Sequence, residues 1–271
     1  MAKKLLVSFV NNLYNQIMNK VSIIIPCYNE EKNLNRGVLD QVYDFLKTRK
    51  IIWEVIICND ESTDNSLQLV KTFADKHQNF RVLDLPHGGK PSAVWGGIQQ
   101  AKYPVVLFTD MDQSTPLKEM TKLLPYFESY DVVIGSRGSH REGNTFLRKL
   151  GSKVFLLVRR LILLHGINDT QCGFKAMKTD VAKKLFPNLQ FFKDKTEKKG
   201  WRVSAYDVEL LFMAQKWGYS IKEVQVVWKN EDTSTTKGNL NARYKKESMQ
   251  MAQEIWRVLT NNFKGIYDQK P

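Results

Sequence analysis

VSIIIPCYNEEKNLNRGVLDQVYDFLKTRKIIWEVIICNDESTD, residues 21–64, carries the alternation that decides the fold class. Its first five residues are a short apolar, β-branched run, the pattern of a strand buried on both faces of a parallel sheet. A polar-faced helix is expected over 31–49 and a second strand over 53–58. The Asx- and Ser-rich turn around Ser62 to Asp64 then opens another helix. The series continues with a strand over 80–85, a helix over 92–101, a strand over 105–109, a helix over 117–127 and a strand over 131–134. Repeated β-α units predict an α/β fold, a mostly parallel central sheet with right-handed crossovers and helices on its faces.

In such sheets ligands bind beyond the C-terminal ends of the strands. The segments at those ends are PCYNE (26–30), NDESTD (59–64), PHGGK (86–90) and DMDQSTP (110–116), all polar and all expected along one edge. DMD is the central feature. Two carboxylates one residue apart, in a loop leaving a strand, can both reach one hard cation. Magnesium or manganese there would bridge the diphosphate oxygens of a nucleotide. Alone the pair is also the commonplace pattern of solvated turn residues; its place beside NDESTD and PCYNE raises it above that. Asp60, Ser62 and Asp64 have a plain alternative as a helix N-cap with its dipole partners.

The chain has 271 residues, and 41 Lys+Arg against 28 Asp+Glu give a net charge of +13. That excess favours polyanionic partners: nucleic acid, an anionic membrane surface or phosphorylated substrates. No helix-turn-helix, zinc-finger or RNP-like pattern supports nucleic acid, so none is expected as a partner. No G-x-G-x-x-G follows the first strand, and HGGKPSAVWGG is not a Walker A loop, which argues against a dinucleotide dehydrogenase and a P-loop NTPase. Cys27, Cys58 and Cys172 are far apart and read as buried free thiols. Residues 137–165 hold seven Lys/Arg against one acid, Glu142, around an apolar helical stripe. Such a helix suits either a membrane surface or a core-packing role with a solvated basic edge. No stretch is long and apolar enough for a membrane span, so a soluble or peripheral protein is expected. Residues 1–20 read as an amphipathic surface segment and 239–271 as carrying a C-terminal amphipathic helix.

PCYNEE, NDESTDNS and DMDQSTP, in this order and spacing, resemble the inverting family-2 glycosyltransferases of the GT-A fold. GSR (135–137), LRKLGSK (147–153), NDTQCGFK (168–175), YDVELL (206–211) and EVQVVW (223–228) narrow the resemblance to the dolichyl-phosphate glucose and mannose synthases. It implies a GT-A domain over 21–238. Residue by residue, it implies that Pro26, Tyr28, Glu30, Asp60, Lys90, Asp110, Met111, Asp112 and Gln171 bind the nucleotide-sugar donor. It further implies Asp110, Asp112 and Ser114 around Mg2+ or Mn2+. Arg137, Arg148 and Ser152 match positions that meet the lipid phosphate. It implies, too, that Asp112, Arg137, Arg148 and Asp169 carry the reaction. Asn59 and Glu61 replace the common Asp and Gly of the second segment, and Trp95 stands where relatives often have Arg, which leaves base and sugar open. Trp228 reads as a core aromatic, while Tyr206 stays open between that and a place in the YDVELL motif.

The resulting expectation is hexose transfer, UDP-glucose being the preferred donor, to a polyprenyl or dolichyl phosphate by an enzyme on the cytoplasmic membrane face. A phosphate monoester is mostly dianionic at neutral pH and attacks without a dedicated base. The rival is a family relative using GDP-mannose or a saccharide hydroxyl. A hydroxyl acceptor would need Asp207 or Glu209 as base.

Overall fold

A computed structural model describes residues 19–138, 164–193, 206–229, 231 and 240–270. The expected N-terminal segment, the basic stretch with Arg148 and Ser152, and residues 194–205 lie outside these residues.

The elements run β1 (Lys20–Cys27), α1 (Glu31–Asn35), α2 (Val38–Lys47), β2 (Ile52–Asp60), α3 (Ser66–Asp75), β3 (Phe80–Leu85), α4 (Lys90–Gln100) and β4 (Val105–Phe108). There follow α5 (Met120–Leu123) between two 3-10 turns, β5 (Val132–Ser136), β6 (Lys175–Lys178), α6 (Thr179–Leu185), α7 (Gln190–Lys193), α8 (Tyr206–Lys216), β7 (Ile221–Gln225) and α9 (Leu240–Phe263). The seven strands form one sheet in the order β3-β2-β1-β4-β6-β5-β7. β1 pairs in parallel with β2 and β4, β2 with β3, and β5 with β7. Only β6, between β4 and β5, runs antiparallel to its neighbours. The mostly parallel sheet expected from the alternation is therefore present, with one reversed strand inside it.

Both faces of the sheet are covered, as the unbroken apolar runs require. Ile24, Ile56 and Phe108 join one core with α4, α6 and α8, while Ile23, Ile25, Val55, Ile57 and Leu107 join the other with α2 and α3. These side chains alternate between the faces at the period of two that a strand imposes.

Three local differences from the sequence reading have physical causes. The single helix expected over 31–49 is two, because Gly37 takes φ +77°, a left-handed conformation that ends α1 and starts α2 at a new angle. The helix expected over 117–127 tightens into 3-10 turns on either side of α5, with Pro125 at the start of the second turn. β6 was not anticipated, since four residues reading KAMK carry neither length nor an apolar run.

Candidate active site

The parallel strands β1, β2, β3 and β4 end on the same edge, and hydrogen bonds lace their loops together. After β1 the backbone turns at Asn29, φ +53°, whose Oδ1 accepts from the Thr63 amide at 2.8 Å. The Glu30 amide donates to Ser66 Oγ at 2.7 Å, and the Glu31 amide to Asp64 at 3.2 Å. The Asn29 amide donates to Ser62 Oγ at 3.1 Å, so Ser62 and Asp64 join the two loops, and Asp64 also accepts from the Ser66 amide at the start of α3 at 2.9 Å. Pro26 closes β1 within the sheet. Glu30 Oε2 accepts from the Asn33 side chain at 2.6 Å. Tyr28 stands exposed at the rim, its ring tilted against that of His87 with centroids 4.8 Å apart.

Asp60 is buried at the end of β2 and turned toward the loop after β3. Its two oxygens accept from the Gly88 and Gly89 amides at 2.8 and 2.9 Å, and His87 Nδ1 lies 3.1 Å from Oδ2. The carboxylate therefore braces the start of α4, where unpaired amides and the helix dipole favour an anion. Lys90, the first residue of α4, reaches from this brace to Asp110 and forms an ion pair with Oδ1. Burial alone would lower the Lys90 pKa; the carboxylates of Asp110, Asp207 and Asp112 outweigh it and raise the value.

The DMD loop divides its residues by alternation. Asp110 and Asp112 are half-buried at the rim, whereas Met111 points into the core, so its side chain is not part of a donor surface. Gln113, φ +52°, ties the loop by donating to the Asp110 carbonyl and accepting from the Leu117 amide. Ser114 is buried and gives both its amide and its hydroxyl to the Asp112 carboxylate, at 2.9 and 2.8 Å. The hydroxyl that the resemblance places near a metal also aims the Asp112 carboxylate. Arg36 donates to the Asp112 carbonyl at 2.7 Å and pairs with Glu231 at 2.8 Å, and the Lys229 amide donates to the Ser114 carbonyl, so the segment after β7 straps this loop. Gly173 lies against Asp110: a Cβ there would overlap the carboxylate, so this approach requires glycine.

Arg137, just past β5, grips Asp169 through Nε and Nη2 at 2.7 and 2.8 Å, and its amide adds a third bond. Burial would raise the Asp169 pKa; the Arg137 guanidinium and amide overcome it and hold the carboxyl at about 2. Gln171 donates its amide to Asp169 Oδ1, and Glu223 on β7 accepts from the Asn168 and Asp169 amides. The Arg137 guanidinium lies 5.7 Å from the centroid of the Trp228 ring, which is 40% exposed. Trp228 is a rim residue, not the core aromatic its sequence suggested.

Asp207, at the start of α8, lies 2.8 Å from the ammonium of Lys175, a lysine with 0% exposure. The two form an ion pair without a hydrogen bond to Asp207 Oδ1, and the lysine donates to the Cys172 carbonyl at 2.5 Å. Tyr206 is buried beside them, and burial, then Asp207 and Asp110, push its phenol pKa up. Glu209 is not brought to the site. Two residues along a helix turn a side chain about 200° away. Its buried carboxylate accepts from Tyr267 Oη and Arg257 at 2.8 Å and from the Gln190 amide. That geometry removes Glu209 as a base and gives it a structural role. Three carboxylates in this region therefore each face a cation: Asp110 with Lys90, Asp169 with Arg137 and Asp207 with Lys175. Lys175 was missed in the sequence, because a lysine inside a polar motif reads as solvated.

Residues 22–186 match the family model for glycosyl transferase family 2. The chain belongs to that family. This glycosyltransferase is 31% identical over 279 residues to a dolichyl-phosphate beta-glucosyltransferase of Dictyostelium discoideum, covering 96% of this chain and 78% of that protein. It is 32% identical over 223 residues to one of Trichomonas vaginalis, covering 76% of this chain and 63% of the relative. The yeast Saccharomyces cerevisiae enzyme of the same name is 27% identical over 271 residues, covering 91% of this chain and 76% of that one. Among solved structures, mannosyl-3-phosphoglycerate synthase from Rubrobacter xylanophilus superimposes with a TM-score of 0.65 at 15% identity, over 90% of this chain and 75% of that one. Glucosyl-3-phosphoglycerate synthase from Mycobacterium tuberculosis, in complex with Mn2+, UDP and phosphoglyceric acid, gives 0.59 at 17% identity, over 88% and 78%. These likenesses establish the GT-A fold for the glycosyltransferase.

Proposed function

We propose that this glycosyltransferase moves glucose from UDP-glucose to a membrane-borne polyprenyl or dolichyl phosphate, with inversion at the anomeric carbon. The names of its relatives support the donor sugar and the acceptor. The observation that carries the acceptor is the pairing of Asp110, Asp169 and Asp207 with Lys90, Arg137 and Lys175. Such a site positions anions. An acceptor phosphate, with its second pKa at about 6, brings its own nucleophilic oxygen.

In this reading Tyr28 and the His87 loop meet the nucleoside, and Lys90, paired with Asp110, meets the diphosphate. Arg137 uses Nε and Nη2 on Asp169, and its guanidinium beside Trp228 steers the acceptor phosphate toward the sugar. The task is positioning two anionic groups against their repulsion. Arg148 and Ser152 are assigned to the same phosphate from sequence.

The residues fit Mg2+ or Mn2+ to a limited degree. Asp110 and Asp112 supply hard oxygen ligands from one loop, and among the described residues no group of three or more His, Cys, Asp and Glu is placed to hold a metal ion. A cation there would draw its remaining ligands from diphosphate oxygens and water, the habit of Mg2+. Its chemistry would be neutralisation of charge on the departing diphosphate. Among the described residues no helix is long and apolar enough to cross a membrane; the proposed contact is peripheral, on the cytoplasmic face.

The test is transfer of labelled glucose from UDP-glucose to a short polyprenyl phosphate, with and without a chelator. Arms with GDP-mannose and with a hydroxylic saccharide acceptor run beside it. Label is expected in the lipid product from UDP-glucose alone and is expected to vanish with the chelator. Asp207→Asn strands the Lys175 ammonium and should lower the melting temperature, but turnover measured below that temperature should stay within about tenfold of the parent, because an essential general base would cost 10²–10⁴-fold. Transfer to the saccharide and not to the lipid phosphate would overturn the proposal.

A further inference from the structure

Met249, Trp256 and Phe263 on α9 are exposed by 57%, 73% and 87%, the highest values of any large hydrophobic side chain among the described residues. They recur every seven residues, which on a helix places them in one stripe about 21 Å long. Ile266, 40% exposed, lies just past its end. An apolar row of this kind, with a Trp and a Phe in it, needs a partner.

The opposite side of α9 is fixed to the glycosyltransferase. Ile255 and Val258 are buried in the core that holds Leu210, Leu211 and Met213 of α8. Tyr267 and Arg257 both donate to Glu209 at 2.8 Å, so a carboxylate on α8 pins the C-terminal helix from beneath. Two residues earlier on α8, Asp207 pairs with Lys175 in the active site. One rigid helix therefore joins the site to the element that carries the stripe.

We propose that the Met249–Trp256–Phe263 stripe seats α9 on a membrane surface with anionic headgroups. The inference deepens the proposed function, because a membrane-borne acceptor has to be met at a surface held at a set distance from the site. Charge argues for this occupant. The chain carries +13, the first two turns of α9 contain Arg243, Lys245 and Lys246 against Glu247 alone, and Lys264 is exposed beside Phe263. Aromatic residues with a basic flank are the composition of interfacial helices. A second copy of the chain fits less well. A coiled-coil seam needs two apolar rows, and Leu259, which would extend the second row, packs against the protein's own core. A fluid acyl boundary needs no complementary row.

The test is co-sedimentation of the full chain with phosphatidylcholine vesicles, with and without phosphatidylglycerol, at low and high salt. The readout requires no sugar transfer, so its failure leaves the proposed reaction standing. Trp256→Ser with Phe263→Ser should lower partitioning onto the anionic vesicles at least about tenfold, with an unchanged melting curve. Trp256→Phe alone should keep most of it. The parent's binding should weaken with salt or without phosphatidylglycerol. Residues 1–20 and 144–165 are the same in every variant, so the comparison isolates α9. Equal binding by parent and double variant would overturn the inference, as would a parent dimer in sedimentation velocity that the double substitution dissociates without changing vesicle binding.

Discussion

Asp112→Asn is expected to lower glucosyl transfer by about a thousandfold or more, close to 4 kcal/mol of transition-state stabilisation, with little change in melting temperature. The loss has two sources. One negative charge disappears from the place where the DMD loop meets the donor diphosphate. The other follows from the metal: a neutral amide is a weaker ligand than a carboxylate for a hard cation. The neighbouring contacts can survive, the amide oxygen accepting from the Ser114 N–H and the NH2 group donating to the Ser114 hydroxyl oxygen, which is why stability should change little. Steady-state turnover with labelled UDP-glucose and polyprenyl phosphate, beside a thermal melt, checks both halves. A variant within tenfold of the parent would remove Asp112 from the reaction.

Lys175→Met should act on stability, at about 3–5 kcal/mol, a fall of roughly 10 °C in melting temperature. Lys175 has no exposed surface and Asp207 is nearly as enclosed, so removing the ammonium strands a carboxylate in a site that water reaches poorly. The same substitution abolishes the bond to the Cys172 carbonyl at the loop that carries Gly173. Adding Asp207→Asn to Lys175→Met should recover a substantial part of the loss, because the stranded charge is then gone. A calorimetric cycle over the four proteins measures the coupling. If the single variant melts with the parent, the pair is not what holds β6 and α8 together here.

How much of this was readable beforehand follows from the physics of each signal. β1, β2, β3, β4 and β5 announce themselves as short apolar or β-branched runs, and DMD is legible because it ends one of them. β6 is four residues with a lysine at each end, and its strand character comes from neighbours on both sides. The cation partners of Asp169 and Asp207 were illegible for a different reason: each lies 32 residues away in the chain, and only the sheet brings them together. The break at Gly37 was available from the glycine itself. The misplacement of Glu209 was also avoidable, since helical periodicity separates it from Asp207 whatever the rest of the fold does.

β6 has a consequence for synthesis. It lies between β4 and β5 in space but follows both in sequence. A chain emerging from the ribosome can pair β1 through β4 early, yet the outer edge of β4, with all four residues buried in the finished protein, has no partner until residue 178 has emerged. For that interval a nascent chain displays an apolar strand edge, the kind of surface on which other chains pair and aggregate. Expression should therefore respond to translation speed between residues 108 and 178 and to chaperones that shield strand edges. A fragment ending before Lys175 should be insoluble even though it contains the whole DMD loop.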